Sequence, residues 1–216
     1  MREPARLVLL RHGETAWNTE LRVQGFTDAP LNDRGRWQAE RAAEALAAEG
    51  LSAVYSSDLQ RARATAEAVA RAAGLPQVHA DAALRERAFG RFEGLTYPEI
   101  EARWPEDARR WRQRDAGFAP GGGETLEAFS ARCVPAVAAI AARHAGQCIA
   151  VVAHGGVLDC LYRAATGLGL QDTRTWQLGN ASINRLLWHG HGFTLVGWND
   201  DAHLRAMDQA PPSNTP

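Results

Sequence analysis

Two histidines in this chain of 216 residues stand in the same kind of place. His12 lies in Arg11-His12-Gly13, directly after the apolar run Leu7-Val8-Leu9-Leu10. His154 lies in His154-Gly155-Gly156, directly after Ile149-Ala150-Val151-Val152-Ala153. Each apolar run reads as a buried strand, and in α/β sheets ligands bind at the carboxyl ends of strands. A histidine there can act as a nucleophile if one ring nitrogen is held protonated and the other is free. Arg11 beside it brings a charge that does not titrate and a planar fork that matches phosphate oxygens two at a time. Gly13 lets a ligand approach the backbone closely, and a helix beginning near Thr15 could aim free N–H groups at an anion. These residue types suit phosphoryl transfer, which needs a nucleophile, positive charge on the nonbridging oxygens and an acid for the leaving group.

The elements around the two histidines alternate between strand and helix. Asn32-Asp33-Arg34-Gly35 reads as a turn, followed to Ala48 by an amphipathic helix with Gly50 as its stop. Leu51 to Tyr55 reads as a strand, and Asp58 to Ala73 as a helix closed by Gly74 and Pro76. A short strand is expected near Val78, and a helix over Glu124 to Arg143, where Pro135 interrupts it. A helix to about Ala165 follows His154; Ser182 to Trp188 and Phe193 to Trp198 then flank His189-Gly190-His191-Gly192 as a hairpin. Trp104 to Gly123 is the least regular stretch, and with its flanks (about 97–125) it suits an excursion over the mouth of a site. The alternation predicts one α/β domain over 1–208, a three-layer α/β/α sandwich with a mostly parallel sheet and helices on both faces. The tail, 209–216, is expected to be disordered.

Composition removes several functions. The 24 basic residues are all arginine. Without lysine there is no Schiff-base enzyme, no pyridoxal-phosphate site and no standard P-loop NTPase. A net charge of −1 gives no electrostatic case for nucleic acid or a membrane surface. Cys133, Cys148 and Cys160 lack metal-site spacing and read as small buried hydrophobes in a reduced cytosol. His189 and His191 have no carboxylate or cysteine partner in view and read as a surface turn, so no metal site is expected. With no apolar signal region between Met1 and Arg6 and no apolar run of about 20 residues, a soluble cytoplasmic protein is the expectation.

The segment Arg11-His12-Gly13-Glu14-Thr15-Ala16-Trp17-Asn18 resembles the signature of the histidine phosphatase superfamily, which includes the cofactor-dependent phosphoglycerate mutases. The resemblance continues in family order through Gln24-Gly25, Tyr55-Ser56-Ser57-Asp58-Leu59-Gln60-Arg61-Ala62, Leu84-Arg85-Glu86 and Val152-Ala153-His154-Gly155-Gly156. Late blocks at Asn180-Ala181-Ser182-Ile183 and Asn199-Asp200 are similar to the phosphatase branch. The resemblance implies a phosphoglycerate mutase-like fold. It implies that His12 attacks phosphorus and carries a phosphohistidine, and that Arg11, Arg61 and His154 hold the phosphoryl oxygens with help from Asn18. Gln24, Gly25 and Gly155 would complete the substrate-binding set. Glu86, rather than Glu93 or Glu99, would protonate the leaving oxygen and then act as base on water. No metal or other cofactor is implied, since arginines supply the charge.

Within that superfamily the mutases carry a longer insertion after the proton donor, with Tyr and Lys residues that grip the substrate. Here Glu86 to Thr96 is short and the chain has no lysine, which favours a phosphomonoester hydrolase over a 2,3-bisphosphoglycerate-dependent mutase or a non-catalytic phospholigand binder. The expected partner is a small phosphorylated metabolite; the oligomeric state, a homodimer included, stays open. Arg109, Arg110, Arg112 and Arg114 could greet a second anionic group, against a solvated face as the plainer reading for most of them.

Overall fold

The strand expected before Arg11 runs from Ala5 to Arg11 (β1), and alternate side chains along it enter two different cores. A computed structural model describes residues 3–207, so the expected tail lies outside the described residues. A single helical turn, Ala16–Thr19 (α1), follows β1, and then Asp33–Leu46 (α2). Leu51–Ser56 (β2), Gln60–Ala72 (α3) and Val78–Ala80 (β3) come next, followed by Tyr97–Arg103 (α4) and Pro105–Arg112 (α5). Leu126–Ala142 (α6), Cys148–Ala153 (β4) and Gly155–Thr166 (α7) lead to the hairpin Ile183–Trp188 (β5) and Phe193–Asp200 (β6).

The sheet order is β3-β2-β4-β1-β5-β6. The pairs β3·β2, β2·β4 and β4·β1 are parallel, while β1·β5 and β5·β6 are antiparallel, so the sheet is mostly parallel as expected. Leu7, Leu9, Ile149 and Val151 face one core, which α6 and α7 cover. Val8, Leu10, Ala150 and Val152 face the other, which α2 and α3 cover with alanine-rich surfaces. Every residue of β4 is buried, which is why that strand reads as an unbroken apolar run rather than an alternating one.

Several boundaries differ from expectation for local reasons. Asn32-Asp33-Arg34-Gly35 is a helix start and not a free turn: the Asn32 side chain accepts the Gly35 N–H at 2.7 Å and caps α2. Helix α6 passes through Pro135 without ending. Pro135 and Ala131 are both exposed, so water can meet the carbonyl that the proline leaves unpaired. Trp104 to Gly123 is more regular than expected. Pro105 opens α5, Glu106 and Asp107 occupy its first turn and three arginines its last, the charge order a helix dipole favours. Together with α4 this region closes a small third core of Phe92, Ile100, Ala108 and Phe118.

Candidate active site

The two histidines meet because of sheet register. In the β1·β4 ladder Arg11 pairs with Ala153, and the His12 N–H continues it with a 3.0 Å bond to the Ala153 carbonyl. One residue further, the side chains of His12 and His154 lie side by side on adjacent strand ends, with ring centroids 5.2 Å apart and planes inclined at 60°. Both rings are buried.

The His12 ring has a fixed polarity. Its Nδ1 lies 2.7 Å from the Gly13 carbonyl, which can only accept, so Nδ1 carries the hydrogen and Nε2 holds the free lone pair. The Gly13 N–H donates to Thr65 Oγ1 at 3.0 Å, and Thr65 Oγ1 donates to the Arg61 carbonyl at 2.9 Å, tying this turn to α3. Asn180 Nδ2 donates to the His12 carbonyl at 2.9 Å. The expectation that Gly13 makes room for a ligand needs correction. A Cβ there would stand 2.4 Å from the Gly35 carbonyl oxygen, so its smallness serves the close approach of α2.

Arg61 is wholly buried in the first turn of α3 and holds a loop in place. Its Nη1 donates to the Thr27 carbonyl at 2.9 Å and its Nη2 to the Gly25 carbonyl at 2.8 Å. Gly25 has φ +55°, and a Cβ on it would meet Glu93 Oε1 at 2.2 Å. Arg11 Nη1 donates to the Leu178 carbonyl at 2.8 Å. Asn18 spends its oxygen on the Thr15 N–H at 3.0 Å, which leaves its amide nitrogen as a spare donor at the cleft. That capping box also uses the Asn18 N–H, so the four-residue α1 is not the open anion-binding terminus expected.

Glu86 lies across the cleft. Its Oε2 accepts the Gly156 N–H at the start of α7 at 3.0 Å, and its Oε1 accepts the Arg87 N–H at 2.9 Å. Both competing carboxylates are occupied elsewhere. Glu93 accepts the N–H groups of Phe26, Thr27 and Phe89, and Glu99 completes the cap of α4 and binds Arg22. The sequence reading named Gly155, whose added Cβ would only touch Arg11 Nε at 3.6 Å. The stricter requirement falls on Gly156, where a Cβ would stand 2.2 Å from Glu86 Oε1 and 2.9 Å from Phe129 Cε1.

Arg11, His12, Asn18, Gln24, Gly25, Arg61 and Glu86 thus line one cleft of about 190 Å³, with Phe89 and Trp111 on its rim. Trp111 comes from the stretch expected over the mouth of the site, whereas nothing in the local pattern of Phe89 separates it from core residues. Several buried polar atoms here have no partner among the described residues: Arg11 Nε, Arg61 Nε, Gln24 Oε1 and both ring nitrogens of His154. Buried donors normally find acceptors, so convergent unpartnered nitrogens of this kind suit an anion.

Electrostatics agree with that geometry. Burial holds the His12 imidazole well below its ordinary value, with Arg61 and Arg11 adding to the effect and the Gly13 carbonyl opposing it. His154 is lowered for the same first cause, then by Arg61, His12 and Arg11. Both rings are therefore neutral near pH 7. Burial brings the Arg61 guanidinium down to about 10, offset by Glu86, Asp28 and Glu93, and it stays charged. Arg11 is lowered mainly by burial and is supported by Glu86.

The remaining histidines are accounted for locally, His79 by stacking on the Tyr55 ring with centroids 5.0 Å apart. His189 and His191 are exposed in the β5–β6 turn, and no cluster of three metal-ligating side chains occurs among the described residues. His144 Nε2 lies 2.9 Å from Tyr55 Oη, and His203 Nε2 lies 3.1 Å from the Ala181 carbonyl. No helix among the described residues is long and apolar enough to cross a membrane.

Comparison with known proteins bears directly on this cleft. The profile of the histidine phosphatase superfamily (branch 1) matches residues 7–201. The chain is 41% identical over 203 residues to phosphoglycerate mutase-like protein 4 of Arabidopsis thaliana, covering 93% of this chain and 87% of that one. It is 37% identical over 208 residues to the metal-independent phosphoserine phosphatase of the same plant, covering 95% of this chain and 85% of that one. Among solved structures, mycobacterial glucosyl-3-phosphoglycerate phosphatase in complex with VO3 superposes with a TM-score of 0.82 at 37% identity, covering 93% of this chain and 100% of that one.

Proposed function

The chain belongs to the histidine phosphatase superfamily, and we propose that within it this protein is a phosphomonoester hydrolase that works through a phosphohistidine on His12. The observation that carries this reading is the His12 ring, with Nδ1 engaged at Gly13 and Nε2 free beside the unpartnered nitrogens of Arg11, Arg61 and His154. Nε2 attacks phosphorus, and the ester oxygen departs as an alcohol with a proton from Glu86. Water then attacks the phosphohistidine while Glu86 takes its proton, and inorganic phosphate leaves. Arg11 and Arg61 stay charged throughout and neutralise the equatorial oxygens, so the reaction needs no divalent metal.

The substrate class is a small phosphorylated metabolite, in keeping with the names of the phosphoserine and glucosyl-3-phosphoglycerate phosphatases. The segment 97–125 serves as a lid: it carries Trp111 to the rim of the cleft. We place the protein in the cytoplasm as a single catalytic domain. Para-nitrophenyl phosphate should be hydrolysed with EDTA present. Silence across a broad phosphoester panel would defeat the reading, and stoichiometric interconversion of 3- and 2-phosphoglycerate primed by 2,3-bisphosphoglycerate would replace it with a mutase.

A further inference from the structure

A second compartment of about 140 Å³ lies beside the cleft. The two compartments share Glu86, Phe89 and Trp111, and the far wall of the second carries Arg114, Asp159 and Arg174. Its charge is out of balance. Asp159 Oδ2 accepts from the buried Arg163 Nε at 3.0 Å and from Arg114 Nη2 at 2.7 Å. Arg174 Nε lies 3.9 Å from Asp159 Oδ1, outside hydrogen-bond range. One carboxylate therefore faces three guanidinium groups.

Two of these have structural work. Arg163 also donates to the Gly169 carbonyl, and Arg114 Nε donates to the Leu170 carbonyl at 2.8 Å, which staples the segment after α5 to the chain beyond α7. Arg174 is the surplus charge. It is held by a single bond from Nε to the Trp176 carbonyl at 3.0 Å, and neither Nη donates to any group among the described residues. Burial and the neighbouring Arg114 and Arg163 lower it, with Asp159 opposing. Its field reaches the reacting end, since Arg174 acts on Arg11 and Glu86 acts on Arg174. Three other arginines near Arg114 are spent on their neighbours: Arg109 on Glu106, Arg110 on Asp115 and Arg112 on Glu101.

We propose that Arg174, with Arg114 beside it, is a specificity residue that receives a second anionic group, a carboxylate or a further phosphate, on the alcohol half of the substrate. This rests on the hydrolase reading and narrows it: the preferred substrates are small phosphomonoesters carrying a second negative charge. A compartment of about 140 Å³ is large enough to hold such a group on a few carbons.

The test compares matched esters. 3-Phosphoglycerate against glycerol 3-phosphate isolates a carboxylate; propane-1,3-diol bisphosphate against its monophosphate isolates a second phosphate. One charge-assisted bidentate contact should favour the anionic member of at least one pair by about 10- to 100-fold in kcat/KM, and the pair that responds identifies the anion. Arg174→Gln should bring that ratio to within about threefold of unity, chiefly through KM, while Arg174→Lys keeps much of it. Hydrolysis of para-nitrophenyl phosphate by the wild type with no preference in either pair would overturn this inference alone. So would a preference that survives Arg174→Gln. A wild type that hydrolyses nothing would overturn the hydrolase reading and this inference with it.

Discussion

Gly156→Ala separates folding from chemistry in this site. Gly156 is the second residue of α7, a position where alanine is the better helix former by about 0.5–1 kcal/mol. Its new Cβ, however, would stand 2.2 Å from Glu86 Oε1, where ordinary contact begins at 3.4 Å. The carboxylate is the mobile partner, so it must retreat by roughly 1 Å, a displacement that typically costs about 100-fold when it falls on a catalytic group. The 3.0 Å bond from the Gly156 N–H to Glu86 would be lost or stretched in the process. Stability should change by less than about 1 kcal/mol, because the helical gain offsets the crowding of Phe129 Cε1 at 2.9 Å. The loss should depend on the leaving group, since para-nitrophenolate departs without a proton and an alkoxide does not. In stopped flow, para-nitrophenyl phosphate should give a burst of one nitrophenol per site followed by slow turnover, because water activation also needs Glu86. An alkyl phosphate should give no burst and a kcat lower by about 100-fold. Equal slowing of both substrates without a burst, or wild-type turnover of the alkyl phosphate, would refute the role given to Glu86.

Two further outcomes follow from the same geometry. Burial first, then the nearby arginines, keep His12 and His154 neutral well below their ordinary value. The unfolded chain takes up those protons near pH 6.5, so the associated stability is full well above that pH and is lost progressively as pH falls below it, by roughly 1 kcal/mol per histidine at pH 5.5. In phosphate-free buffer, His154→Gln should lose less stability than the wild type between pH 7 and 5.5 by about that amount; parallel denaturation curves would contradict the neutral assignment. Arg61→Lys should reduce kcat/KM by about 100-fold or more, because an ammonium cannot hold the Gly25 and Thr27 carbonyls and also meet an anion. Retention of activity within a few fold would show that Arg61 is a structural brace only.

The order of strands and helices was legible because the strong signals are local. β4 is an unbroken apolar run, and α2 and α3 have one buried face each. The named cleft residues were legible through resemblance, which spans almost the whole chain, and the register of β1 with β4 supplies the physical reason that Arg11-His12 and His154 come together. Less visible features depend on distant partners. Nothing around Gly13 announces that Gly35 occupies its free side, and nothing around Gly155-Gly156 says which of the two must stay small. The third core was not visible in the sequence because its members, Phe92, Ile100, Ala108 and Phe118, come from four short segments with no shared period, only the last two of them within Trp104 to Gly123. Arg174 was silent for a similar reason: it follows α7 in an irregular stretch, and only the three-dimensional neighbours Arg114, Asp159 and Arg163 make its charge a surplus.

The central claim is a covalent phosphohistidine with defined regiochemistry. Because Nδ1 of His12 donates to the Gly13 carbonyl at 2.7 Å, phosphate must land on Nε2. Enzyme quenched in alkali during turnover of an isotopically labelled phosphoester should carry up to one phosphate per chain. Peptide mass spectrometry should place it on His12, and phosphorus NMR should assign it to Nε2. The label should vanish in His12→Ala. Label on any other residue, or on Nδ1 of His12, or full turnover by His12→Ala, would contradict the account.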